Sequence, residues 1–200
     1  MSERFVIGID LGTTNSSLAY IDLEAEERSS PILLPLTQWE NEEQSIDDVR
    51  LPSFLWLLPK NALKKGLWPH PSFAEYKTPF VIGRLARDKA LSQPLQVVHS
   101  AKSWLSTGTV THRVSKILPW GALDDRLSPV DVQAAFLNHI KHVWDVQFPA
   151  HPFKEQRVII TVPASFDELA QRLTLEAAKL ADFPARIELL EEPLAAYYDW

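Results

Sequence analysis

The feature that most narrows the fold is the alternation of hydrophobic period in the last third of the chain. "LSPVDVQAAFLNHIKHVWDVQF" offers Ser128 as a helix N-cap and Pro129 at the first helical position, where the missing N–H costs nothing. Val132, Phe136, Ile140, Val143 and Trp144 then recur at helical spacing and predict one buried stripe. "RVIITVP" reads as a buried strand stopped by Pro163. In "SFDELAQRLTLEAAKLAD" Ser165 and Glu168 have the spacing of a capping box, and Leu169, Leu173, Ala177, Leu180 and Ala181 share a helix face. "RIELLEEP" is a further strand, and "LAAYYDW" begins a helix after Pro193. Strands separated by helices pair in parallel.

The opening of the chain behaves differently. "RFVIGID" and, after a polar turn, "SSLAYID" read as strands with "PILLPL" as a candidate third, and three antiparallel strands in a row is the simplest reading. Joined to the C-terminal pattern, they predict an α/β protein built on a mixed sheet with flanking helices. Between Gln38 and Arg126 the texture changes: five of the seven tryptophans fall here, with the acidic run "ENEEQSIDDVR" near the start. Residues 38–127 are therefore expected to form an inserted α+β subdomain, and 1–37 with 128–200 the main one. "PSFLWLL" and "FVIG" are its candidate strands and "RLARDKALSQ", after Gly83, its candidate helix.

Composition removes several functions. There is no cysteine, which excludes disulfides, thiolate metal sites and cysteine nucleophiles. A net charge of -6 argues against a nucleic-acid footprint, which gathers lysine and arginine on one face. The longest apolar runs fall far short of the ~20 residues of a membrane span, and "MSERFVIG" has no basic segment followed by a long apolar stretch. The expectation is a cytoplasmic protein without nucleic-acid or membrane partners.

The polar stretch Asp10–Asn15, "DLGTTN", lies between the first two strands. A small, hydroxyl-rich turn at a sheet end can converge backbone N–H groups and threonine hydroxyls on phosphate oxygens. Gly12 permits close approach, and Asp10 suits the hydrated Mg²⁺ that accompanies a nucleotide. Turn chemistry alone favours a plain hairpin whose polar side chains satisfy their own backbone.

"IGIDLGTTNS" resembles the first phosphate motif of the actin-like ATPases, and most closely that of the seventy-kilodalton heat-shock (DnaK-type) chaperones. Far along the chain, "VIITVPASFDELAQRLTLEAAKLADFPARIELLEEPLAAYYDW" is similar to that family's connect region with its E-P-x-A-A signature. "LPSFLWL", "FVIGRLARDKA" and "VVHSAKSWL" fall between in the family's order. The chain departs from the common pattern at Glu191, Leu194 and "PASF", and by one extra residue between Pro163 and Arg172.

The resemblance implies a ribonuclease H-like sheet forming the first lobe of a two-lobed ATPase, with ATP or ADP, Mg²⁺ and K⁺ as candidate cofactors. It implies that Gly12, Thr13, Thr14 and Asn15 line the β- and γ-phosphate site. Asp10 would orient the metal through water, Lys102 would reach the γ-phosphate, and Glu192 would position the attacking water. Pro163 and Arg172 correspond to the family's switch proline and relay arginine. Partners implied are unfolded polypeptide clients, J-domain proteins and exchange factors, in a heat-shock or stress-response role. No D-x-G-G-G-T motif of a second lobe is present, so the expectation is a fragment that binds nucleotide weakly alone. A sugar-kinase-like phosphotransferase and a non-hydrolysing scaffold or filament subunit are the rival readings.

Three further features carry a plain reading. His139 and His142, at i and i+3, are expected as partly exposed helix residues rather than metal ligands. The tryptophans are expected in a small core, and Glu40–Asp48 as a solvated loop.

Overall fold

A computed structural model describes residues 3–25, 30–58, 79–119 and 126–198. Strand β1 (Phe5–Leu11) pairs antiparallel with β2 (Asn15–Asp22), in a register that sets Phe5 opposite Asp22 and Leu11 opposite Ser16. β3 (Ile32–Leu33) continues the antiparallel side, but it is only two residues of the expected third strand, with the Leu34 N–H also donating to Leu18 O of β2. Pro31 and Pro35 flank them and cannot donate to a ladder. The chain then turns Leu34 and Leu36 into the core and forms a separate hairpin from β4 (Leu36–Trp39) and β5 (Ser45–Asp48).

That hairpin corrects the reading of Glu40–Asp48 as a loop. Asn41 Oδ1 accepts from the N–H groups of Glu43 and Gln44, closing a tight turn. The acidic side chains meet the next helix, α1 (Arg84–Ser92): Arg84 pairs with Glu40 and Asp48, and Lys89 with Glu42. Buried Gln38 joins the two elements, its amide donating to Arg50 O and accepting from Arg84 N–H. Gly83 is required there, since at φ 95° an added Cβ would stand 2.6 Å from Gln38 Oε1.

β6 (Leu51–Pro52) pairs with the start of β2. β7 (Phe54–Leu57) is the centre of a three-stranded antiparallel sheet with β8 (Phe80–Ile82) and β9 (Val97–His99). Two short helices, α2 (Ala101–Ser106) and α3 (Val110–Val114), precede α4 (Pro129–Gln147). α4 starts as its sequence indicates: Ser128 and Asp131 form a reciprocal capping box, with Pro129 in the first turn.

β10 (Arg157–Val162), α5 (Glu168–Leu180), β11 (Ile187–Glu191) and α6 (Glu192–Tyr198) complete the chain. The main sheet runs β11-β10-β1-β2-β3, with β10 parallel to both β1 and β11. It is mixed, as expected. Phe5, Ile7, Ile9, Val158, Ile160 and Val162 alternate onto one fully buried face, and Phe5 meets Trp144 of α4 edge-on there. Val6, Gly8, Asp10, Ile159 and Thr161 alternate onto the less covered face.

Three local expectations change. The N-cap of α5 is Asp167, whose carboxylate accepts from Ala170 N–H at 2.8 Å. Ser165 is instead an exposed member of the turn closed by Phe166 N–H on Pro163 O. The buried face of α5 accordingly runs through Ala170, Leu173, Thr174, Ala177 and Ala178, and Leu180 is exposed. His139 is buried, with Nε2 2.9 Å from Thr37 O, and burial lowers its pKa to about 4. The tryptophans divide between two cores. Trp144 is enclosed in the main one, while Trp39 and Trp56 pack a smaller one with Val81, Leu85 and Val97 beneath α1. Trp68, Trp120 and Trp200 lie outside the described residues.

Candidate functional site

The carboxyl ends of β1, β10 and β11 lie side by side, the edge at which open α/β sheets present their functional groups. Register places Asp10 opposite Thr161, and Thr161 opposite Leu190, two residues before Glu192. Asp10 and Glu192 are thus carried by strand ends two inter-strand spacings apart, about 10 Å. Asp10 is exposed, and Thr161 Oγ1 donates to its Oδ1 at 3.1 Å. This cross-strand hydroxyl fixes one carboxylate oxygen and leaves the other open.

The turn after β1 brings Gly12, Thr13, Thr14 and Asn15 together, the last three exposed. A Cβ on Gly12 would lie 2.1 Å from Asn15 O, so no other residue fits without rebuilding the turn. Ser53, between β6 and β7, grips this turn from beneath. Its N–H donates to Thr14 O at 2.9 Å and its hydroxyl to Gly12 O at 2.7 Å. Ser16 Oγ lies 3.2 Å from Ser53 Oγ.

Lys102 and Glu192, separated by 90 residues, meet: Nζ stands 2.5 Å from Oε1. Lys102 is 6% exposed, whereas the Glu192 side chain is 43% exposed. The ammonium is therefore inside the fold with its partner at the rim, where burial of a lone cation would be costly. One of its three N–H donors is used by Glu192, so others can serve a ligand. Sequence spacing could not announce this contact; the residues were singled out separately by resemblance.

Pro163 follows β10 two residues after Thr161, at the same sheet edge, and is half-buried. Arg172 is exposed on the outer side of α5, and no hydrogen bond or ion pair joins it to Pro163 among the described residues. The Pro163–Asp167 turn is held instead by Arg113 of α3, whose Nη1 reaches Asp167 at 2.7 Å and whose Nη2 donates to Ser106 O at the end of α2. The Ala170 N–H, and then Arg113, hold the Asp167 carboxyl below the usual range.

Ser53, Thr161, Ser16 and Arg113 all escape sequence reading. A hydroxyl directly after a proline and ahead of an apolar strand is the one available signal for Ser53. Among the described residues no group of three histidine or acidic side chains could hold a metal ion. The donor set at Asp10, an exposed carboxylate beside a hydroxyl-rich turn, suits an ion that keeps most of its waters, as Mg²⁺ does. Among the described residues no helix is long and apolar enough to cross a membrane.

No family model matches the chain. Curated relatives do: the chaperone protein HscA homologues of Burkholderia lata and Burkholderia mallei are each 28% identical to it over 205 residues, 97% of this chain. The homologue of Burkholderia orbicola is 28% identical over 207 residues. The chain spans 28% of the length of these relatives. The resemblance drawn from the two motifs is borne out in them.

Proposed function

We propose, for this divergent relative of the seventy-kilodalton heat-shock chaperones, the role of a nucleotide-binding lobe of a chaperone-type ATPase. The observation that carries the reading is the meeting of Lys102 with Glu192 on the sheet edge that also bears Asp10 and the Gly12–Asn15 turn. A buried cation, two carboxylates and a hydroxyl-rich turn on one edge are the charges a metal-bound polyphosphate requires.

In this reading Thr13, Thr14 and Asn15 donate to the β- and γ-phosphate oxygens, and Gly12 lets them approach. Asp10, oriented by Thr161, accepts from water of the metal's shell. Mg²⁺, when bound, neutralises phosphate charge. Lys102 directs its remaining donors to the γ-phosphate, and Glu192 takes the proton side of the attacking water. Pro163 and Arg172 are proposed to report nucleotide state to a client-binding region. Residues 1–37 and 128–200 would form the ribonuclease H-like part, and 38–127 its insertion. Five strands of the main sheet, β1–β3, β10 and β11, come from the outer segments and favour that division, while the two-residue β6 joins the sheet from the insertion. Unfolded polypeptides, J-domain proteins and exchange factors in the cytoplasm are the proposed partners, and K⁺ a further proposed ion.

Calorimetry of the native full-length protein with MgADP tests the reading. Binding is expected, with Lys102→Ala and Glu192→Ala sharply slowing ATP hydrolysis; no detectable binding overturns it. Residues 1–200 alone are expected to bind MgATP more weakly than micromolar, because the nucleotide would sit between this lobe and a second. The mutual satisfaction of Lys102 and Glu192 favours one second reading, a non-hydrolysing scaffold. Unchanged cellular activity of both variants would support it.

A further inference from the structure

The grip of Ser53 on the turn has a defined polarity. A carbonyl only accepts, so the single hydroxyl proton of Ser53 lies on Gly12 O at 2.7 Å. Ser16 must then supply the proton between the two serine oxygens, which are 3.2 Å apart. Both hydroxyls are buried, Ser16 at 2% and Ser53 at 7% exposure, so water does not compete for these bonds. Ser53 N–H holds the Thr14 carbonyl as well.

Two carbonyls of the turn therefore face Ser53. A planar trans peptide carries its C=O and the following N–H on opposite sides, so the N–H groups of Thr13 and Asn15 face away from Ser53. Thr13, Thr14 and Asn15 are themselves exposed. The Ser53 hydroxyl thus opposes rotation of the Gly12–Thr13 peptide, a rotation that the glycine neighbour itself resists least.

We propose that Ser53 is the positioning residue of this turn: by holding the Gly12 carbonyl inward, its hydroxyl aims the Thr13 N–H at an oxygen of a nucleoside di- or triphosphate. Ser53 touches no phosphate itself. The inference rests on the nucleotide reading above and adds to it the residue that pre-organises the anion site.

The test compares MgADP with adenosine, by competition against a fluorescent nucleotide, in the native full-length protein carrying Ser53→Ala, Ser53→Thr or Ser16→Ala. Ser53→Ala is expected to weaken MgADP about tenfold, the scale of one lost buried hydrogen bond, with adenosine affinity unchanged. Ser53→Thr, which keeps the hydroxyl, is expected to restore the preference, and Ser16→Ala to lower it about threefold. A purely structural serine would change the melting temperature and leave the MgADP-to-adenosine ratio alone. Ser53→Ala with the wild-type ratio overturns the proposal. Should that variant not fold, Ser16→Ala decides by the same ratio. Failure of the wild-type protein to bind MgADP overturns the nucleotide reading, and this proposal falls with it.

Discussion

Two turns leave the same edge of the main sheet from neighbouring parallel strands, and they are held by opposite means. The turn after β1, residues 12–14, is fastened by uncharged groups: the Ser53 N–H and hydroxyl on the Thr14 and Gly12 carbonyls. The turn after β10, residues 163–167, is fastened by charge, with Arg113 on Asp167 and the Asp167 carboxylate on the Ala170 N–H. The consequence for an anion is large. A helix N-terminus ordinarily attracts phosphate, but that of α5 already holds a carboxylate. Residues 12–14 of the uncharged turn carry no carboxylate and expose Thr13 and Thr14, which makes it the better suited of the two to a phosphate.

The sharpest way to break the contrast is Gly12→Ala. With a Cβ 2.1 Å from Asn15 O, the turn must rebuild, and a loss of about 3 kcal/mol or more is expected in chemical denaturation. Acid separates the turns without mutation. His139 sets the background: its pKa of about 4 in the fold lies below its ordinary 6.5, so the unfolded chain takes up the proton first. Stability is then complete above pH 6.5 and declines by up to roughly 3 kcal/mol as pH falls toward 4. His139→Gln should flatten that decline. The Asp167 carboxyl is lowered, so its contribution is present above the ordinary carboxylate range and lost only as pH falls below it. The 12–14 turn, held by hydroxyls, adds no titration step, and a pH series of amide exchange rates on the two turns would show it.

Beside the turn after β10, at the end of the edge strand β11, stands the Lys102–Glu192 pair, and its two halves should behave unequally. Glu192→Ala strands a buried ammonium and is expected to cost about 2 kcal/mol; Lys102→Met strands only a rim carboxylate and should cost less, by thermal denaturation. The smallest effect is expected from Ser165→Ala, within about 0.5 kcal/mol, because Ser165 is exposed and Asp167 is the cap. A loss near that of a true cap residue would reverse the assignment.

What could be read in the sequence was what is local. The Ser128–Pro129 start of α4, the β10 stop at Pro163 and the mixed sheet all follow from caps, breakers and periods within a few residues. The α5 cap failed because two candidate oxygens, Ser165 and Asp167, lie within one turn, and the tertiary contact to Arg113 favours the second. His139 was misplaced because helix α4 is buried around much of its circumference, not along a single stripe. Ser53 and Thr161 act through register across strands, Ser53 on Gly12 from 41 residues away and Thr161 on Asp10 from 151. No periodicity encodes such contacts. Resemblance reached Asp10, Lys102 and Glu192 without geometry, and the fold supplied the contact between the last two.

The aromatic packing at the other end of β1 has an optical consequence. Trp144 lies fully enclosed among Phe5, Tyr20, Phe148 and Phe153, its indole N–H donating to His151 O. Trp104 stands on α2 two residues after Lys102 and is only partly buried. The first is a blue-emitting reporter of folding, insensitive to events at the strand ends; the second shares the short helix of the lysine proposed to meet phosphate. A protein keeping one or the other, with the remaining tryptophans changed to phenylalanine, would let the same emission spectrum report melting in one case and occupancy of the strand-end edge in the other.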